Sequence, residues 1–299
     1  MAGLNDLLRA ELTAVNQQFI HVIALNRRGY AETADRIYAV DKVDFPNAMR
    51  IIDHLVASGQ AVHVPLELPK PGFPMTGLLQ AELRIEARLR SLLANTDAAD
   101  DAAQRLFAAA AGPRPAYQAW LTTMRADSRD MPVARGNSAI DPLFACVIAV
   151  LEHLMIRAFA AWHAGNAAEA DRAWAASGVA MVQATDLVNA LTDLETVPLA
   201  SGAVATDLPA MLGDAAVERE VIAAYARTAQ AAAQAAEPAL QDVCRRIADY
   251  TRALETWRPE APHPALAACT PVFRSFSATL RKFVHLSPIS AASESAPPP

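Results

Sequence analysis

Residues 4–21 read LNDLLRAELTAVNQQFIH. Spacings of three and four place Leu4, Leu7, Glu11, Val15, Gln18, Val22 and Leu25 on one helical stripe, the side that turns towards a core. Glu11 therefore points inward. Residues 32–59, ETADRIYAVDKVDFPNAMRIIDHLVASG, carry a second stripe through Ile37, Asp41, Asp44, Ala48, Ile51 and Leu55. Carboxylates among aliphatic side chains are costly unless protonated, paired or bound to a cation, so this pairing of stripes marks a site. Pro46 interrupts the second stripe: it has no amide hydrogen to donate to the carbonyl of Lys42 and predicts a kink or break costing about 3 kcal/mol.

The chain of 299 residues is long enough for about two domains. Its many alanines, few glycines and scarce β-branched alternation predict an all-α protein. A net charge of -6 leaves no broad basic surface for phosphates, which argues against nucleic acid as a partner. Cys146, Cys244 and Cys269 lie far apart and show no zinc or redox spacing, as expected of reduced thiols. Asp6 and Glu11 interrupt the apolar core a secretory signal needs, so a cytoplasmic location is expected. The apolar run LFACVIAVL, residues 143–151, falls short of the roughly 20 residues that span a bilayer and is followed by Glu152, His153 and Arg157; it predicts a buried helix and no transmembrane segment.

An internal duplication organises the chain. ETADRIYA from Glu32 matches AEADRAWA from Ala168, pairing Asp35 with Asp171 at an offset of 136 that also pairs Gly29 with Gly165 and Glu82 with Glu218. YQAWLTTMR from Tyr117 matches YTRALETWR from Tyr250 at an offset of 133. A repeat of this length is a duplicated domain. The reading is two four-helix bundles, residues 1–130 and 139–260, joined by SRDMPVARGNS, with an amphipathic helix and flexible tail over 261–299. Within the first bundle, HVPLELPKPGFP reads as a crossover to a third helix from Met75 to about Asn95. A fourth helix, in two pieces around Gly112 and Pro113, is expected to end near Arg125.

LNDLLRAELTAVNQQFIH, continued by Leu25, Gly29, Tyr30 and the second helix, resembles a bacterioferritin-type subunit of the ferritin-like superfamily. The resemblance implies a tandem of ferritin-like bundles, duplicated and degenerate. Such bundles hold two irons with one carboxylate from each of two helices and a Glu-x-x-His pair from each of the other two. Carried over by position, Glu11, Asp44 and Glu86 are the candidate metal ligands, although the repeat matches Glu82, one turn before Glu86. Asn47 stands at the first histidine, Tyr117 at the second and Arg114 at the last glutamate. Arg114 brings a permanent positive charge that could neutralise Glu11 or Glu86, an internal salt bridge in place of metal. In the second bundle Val147, Ala180, Gln183, Ile222, Ile247 and Tyr250 occupy the ligand positions, so no di-iron centre is expected there. Met181 falls where the family has its haem-ligating methionine, with Phe45 as its counterpart, but a lone helical methionine is core filler by default and haem is not expected.

Other residues carry less. His21 reads as a partner behind the site or a satisfied core histidine, Glu152 and His153 point apart, and His54 beside Asp53 reads as a surface residue. No nucleophile elbow, phosphate loop or zinc spacing is present. In VFRSFSATLRKFVHL, Phe273, Phe276, Leu280, Phe283 and Val284 form an apolar side flanked by Arg274, Arg281 and Lys282. It suits a helix capping a bundle, or docking on a protein partner or an anionic membrane surface. Two functions follow: a non-catalytic ferritin-like protein serving binding or assembly, with no cofactor; or an iron-dependent oxidase or iron-binding protein using Glu11, Asp44 and Glu86, with Tyr117 as a redox or ligating phenol. A monomer or small oligomer is expected, its bundles paired through their first and second helices with Phe45 near Met181.

Overall fold

The computed structural model describes residues 3–62, 75–96, 100–112, 114–127, 140–194, 196 and 215–256. The predicted crossover 63–74, the linker 128–138, the C-terminal helix and Cys269 lie outside them. Among the described residues the protein is all-α, with no strand. The helices are α1 (Leu4–Arg27), α2 (Ala31–Ala57), α3 (Met75–Ala94), α4 (Asp101–Ala111), α5 (Arg114–Asp127), α6 (Asp141–His163), α7 (Ala167–Asp193), α8 (Ala215–Ala235) and α9 (Pro238–Thr256).

Local chemistry sets their ends. The Asp100 side chain accepts from the amide of Ala103 to cap α4, and Asn166 accepts from that of Glu169 to cap α7. Two glycines close α1 and α6 in the left-handed region, Gly29 at φ +82° and Gly165 at φ +77°. Each ending carries the same pair of bonds: Tyr30 N donates to Leu25 O and Gly29 N to Asn26 O, as Asn166 N does to Ala161 O and Gly165 N to Trp162 O. These residues are counterparts at the offset of 136, and the two helix ends share one hydrogen-bonding pattern. A Cβ at either glycine meets open space, and backbone strain alone sets the cost of adding one. Gly29→Ala and Gly165→Ala are each expected to lose about 1 kcal/mol in urea unfolding, and the two losses should add.

Pro46 does not break α2, which runs unbroken from Ala31 to Ala57. The expected break is absent because the turn after Pro46 is locked by Ala48, Met49, Ile51 and Ile52, all buried, and one missing hydrogen bond does not outweigh that packing.

In the first half α1 pairs with α2, α3 packs on α1, α5 on α3 and α4 on α2; in the second, α6 pairs with α7, α8 packs on α6, and α9 on α8 and α7. Across the halves α1 packs on α7 and α2 on α6, the reciprocal pattern of an isologous interface. Asn16 Nδ2 donates to Glu152 Oε1 at 2.8 Å, and these two residues are counterparts at the offset of 136. Arg27, at the end of α1, holds Asp193 of α7 through two bonds of 2.6 Å. Its counterpart His163, at the end of α6, meets Asp53 of α2 at 2.8 Å. These exposed pairs fix register more than they stabilise. One hydrophobic core runs through both halves, from Leu7 to Tyr250, with Phe45 and Met181 both packed against it.

The apolar run of residues 143–151 lies in α6, the one described helix whose length and hydropathy would let it cross a membrane. Its apolar window is 89 % buried against the rest of the protein, which makes it the central core helix. Cys146 and Cys244 are buried and unbridged.

Candidate functional site

The three candidate carboxylates, Glu11, Asp44 and Glu86, meet inside the first half, around a guanidinium. Arg114 is the first residue of α5, and its Nε donates to Ala110 O at 2.8 Å. That bond aims the fork inward. Nη2 then donates to Glu11 Oε1 at 2.7 Å and to Asp44 Oδ1 at 3.1 Å, and Nη1 donates to Glu86 Oε1 at 2.8 Å. Glu11 and Asp44 have no solvent exposure, and Glu86 and Arg114 have 2 % and 5 %. Gln18 Nε2 holds the other oxygen of Asp44 at 3.1 Å.

One cation among three acids leaves negative charge in surplus. Burial, reinforced by Asp44 and opposed by Arg114, pushes the Glu11 carboxyl well above its ordinary value. Burial also raises Asp44 against the pull of Arg114, and raises Glu86 to about 7. Asp41, one turn from Asp44, is pushed to about 7 by burial and by the charges of Asp44 and Glu82. Burial alone would lower Arg114, but the summed attraction of Glu11, Asp44 and Glu86 holds it above its ordinary value. The site thus keeps a charged guanidinium and retains protons on part of its acid set.

A second group lies beside the first. Glu82 has no solvent exposure; its Oε1 is 2.5 Å from His21 Nδ1 and accepts from Gln17 Nε2 at 3.3 Å, while its Oε2 accepts the Tyr117 phenol at 2.8 Å. His21 is thereby a partner behind the site. Glu82, not Glu86, is the acid bonded to Tyr117, in keeping with its place in the repeat. Sequence reasoning placed Glu82 one turn from a ligand position, and the repeat match was the signal that could have promoted it.

A di-iron centre does not fit these residues. The Arg114 fork fills the space the carboxylates would share with a metal. Asn47, 3 % exposed, accepts from Arg50 Nη1 at 2.9 Å through its Oδ1, and its Nδ2 is a buried donor with no hydrogen-bond partner. An amide N–H repels a cation where the resemblance places imidazole. Among the described residues, no group of three or more His, Cys, Asp or Glu is set out to hold a metal ion.

The second half fills the equivalent space with hydrocarbon. Val147, Ala180 and Ile247 are buried, and Ile222 packs partly buried on the same core. Gln183 accepts from Tyr225 Oη at 2.6 Å, and Tyr250 Oη donates to Ala176 O at 3.2 Å. Met181 sits partly buried on that core, where a thioether acts as adaptable filler. Away from these positions, burial raises Glu152 to about 7 against its bond from Asn16, and burial lowers His153 to about 4. Comparison with family models, with curated proteins and with solved structures gives no match to this chain.

Proposed function

We propose that the chain is a ferritin-like, bacterioferritin-related protein, a tandem of degenerate bundles that serves as a non-catalytic binding or assembly protein. The observation that carries this reading is the Arg114 guanidinium bonded to Glu11, Asp44 and Glu86. A fixed internal cation does the electrostatic work of a bound metal and offers no open coordination position for dioxygen or substrate. The reciprocal packing of α1 on α7 and α2 on α6 supports the tandem reading, since it reproduces within one chain the pairing expected of two subunits.

Protein made in iron-rich medium is expected to hold less than one iron per chain, to oxidise ferrous iron no faster than buffer, and to scatter light as a monomer or small oligomer. Two tightly held irons per chain with rapid ferrous oxidation would overturn the reading. The combined substitutions Asn47→His, Arg114→Glu and Tyr117→His should raise iron binding. A folded triple variant that gains none would show that this bundle no longer has the ligand geometry of the family it resembles.

A further inference from the structure

Among the described residues, the Tyr117 phenol combines a stacked indole with a bonded carboxylate. Its ring is stacked on Trp120 with centroids 5.7 Å apart and planes 20° apart. Tyr117 is 5 % exposed and Trp120 is half-buried, so the pair leads from the interior towards the surface. The hydroxyl donates to Glu82 Oε2 at 2.8 Å, and the other carboxylate oxygen is engaged by His21 and Gln17. The duplication supplies a comparison: Tyr250, the counterpart of Tyr117, donates to a backbone carbonyl, and the counterpart of Trp120 is Ala253. Tyr225 donates to the amide oxygen of Gln183. Tyr30 and Tyr38 are exposed.

We propose that Tyr117 is a redox-active phenol, the residue on which a one-electron oxidising equivalent entering through Trp120 comes to rest. The oxidant is an external one-electron acceptor, such as a photogenerated ruthenium(III) complex or a carbonate radical. It removes one electron from the Trp120 indole and is itself reduced by one. Tyr117 then returns an electron to the oxidised indole while its O–H bond breaks and the proton passes to Glu82 Oε2. The products are a neutral Tyr117 phenoxyl radical, a protonated Glu82 and a restored Trp120. A buried phenol oxidises readily only where a base stands in hydrogen-bond contact to take the proton, because a cationic radical in a low-dielectric core is strongly disfavoured. Glu82 meets that need, whereas a backbone carbonyl or amide oxygen does not. Burial keeps the radical from solvent and from other radicals. This chemistry requires no metal and is independent of the reading of Arg114.

The test is flash oxidation of the full chain with ruthenium tris-bipyridyl and persulfate, followed by freeze-quench electron paramagnetic resonance. The wild-type protein should give a persistent neutral tyrosyl signal. Tyr117→Phe, which keeps the stacked ring, should lose it. Glu82→Gln, which keeps an acceptor oxygen but cannot hold the proton, should lose most of it. Trp120→Phe should slow its appearance, and Tyr30→Phe with Tyr38→Phe should leave it in place. Absence of a persistent signal in the wild type, its survival in Tyr117→Phe, or equal yields in Glu82→Gln and wild type would each overturn the proposal. Circular dichroism of each variant separates loss of signal from loss of fold. If the position 82 variant does not fold, the slower appearance in Trp120→Phe, or its absence, decides the case.

Discussion

Arg114→Met is expected to lower the free energy of unfolding by roughly 3–5 kcal/mol, the usual cost of removing one partner from a buried ion pair. Methionine fills nearly the same length but leaves Glu11, Asp44 and Glu86 facing one another without a counter-charge. Whole domains are stable by only about 5–15 kcal/mol, so the variant should sit near the edge of folding. Urea unfolding followed by circular dichroism measures it. The companion variant copies the second half into the first: Glu11→Val, Asp44→Ala, Glu86→Ile and Arg114→Ile together. Replacing a whole buried charge network by hydrocarbon is often neutral or stabilising, by roughly 1–4 kcal/mol, so the quadruple variant should regain what the single one loses. A single variant that costs less than about 1 kcal/mol, the scale of one ordinary hydrogen bond, would mean that the guanidinium does not hold the acids together.

Stability should fall as pH rises from 5 to 8. Glu86 and Glu152 have folded values near 7 against 4.5 for the ordinary group, and Asp41 has one near 7 against 3.8. In each case the folded state binds the proton more tightly than the unfolded chain does. The stabilising contribution is present in full below the unfolded value and is lost as pH rises through about 7. Linkage sets a ceiling of about 3 to 4 kcal/mol per group; mutual repulsion makes the three losses less than additive, and His153, whose folded value near 4 lies below its ordinary 6.5, offsets about one of them as pH rises to 6.5. The expected result is a urea midpoint that declines over this range. Amide exchange should quicken first in α1 to α3 and α5, and less in α8 and α9, whose shared core is hydrocarbon. A midpoint that stays level or rises would contradict the charge balance of the site.

The carboxylate stripes were legible because a helix repeats every 3.6 residues, and three or four apolar neighbours fix which way Glu11 and Asp44 face. Arg114 was legible as a misfit, a permanent charge at a position aligned with an acid. Which acids it holds was not, because the sequence weighed Glu11 and Glu86 while the fork also reaches Asp44, and that choice depends on how far α5 slides along α3. The division of the fourth helix into two pieces followed from local chemistry: α4 ends at Ala111 and α5 begins at Arg114. Of the kink or break expected at Pro46, the break is absent, because the burial that holds α2 together comes from distant residues. The contacts between halves, Asn16 with Glu152, Arg27 with Asp193 and Asp53 with His163, join residues more than 100 positions apart. No local pattern announces them. The first pair, Asn16 and Glu152, are counterparts at the offset of 136, a relation that becomes visible only once the two helices are seen in contact.

On the proposed reading, the Arg114 guanidinium stands among Glu11, Asp44 and Glu86 where the resembled family holds metal. The most direct measurement is anomalous diffraction at the iron edge from crystals grown with excess ferrous iron under anaerobic conditions. The account predicts guanidinium density from Arg114 between the three carboxylates and no anomalous peak there. A peak within ligand distance of Glu11, Asp44 and Glu86, with the Arg114 side chain displaced, would contradict it.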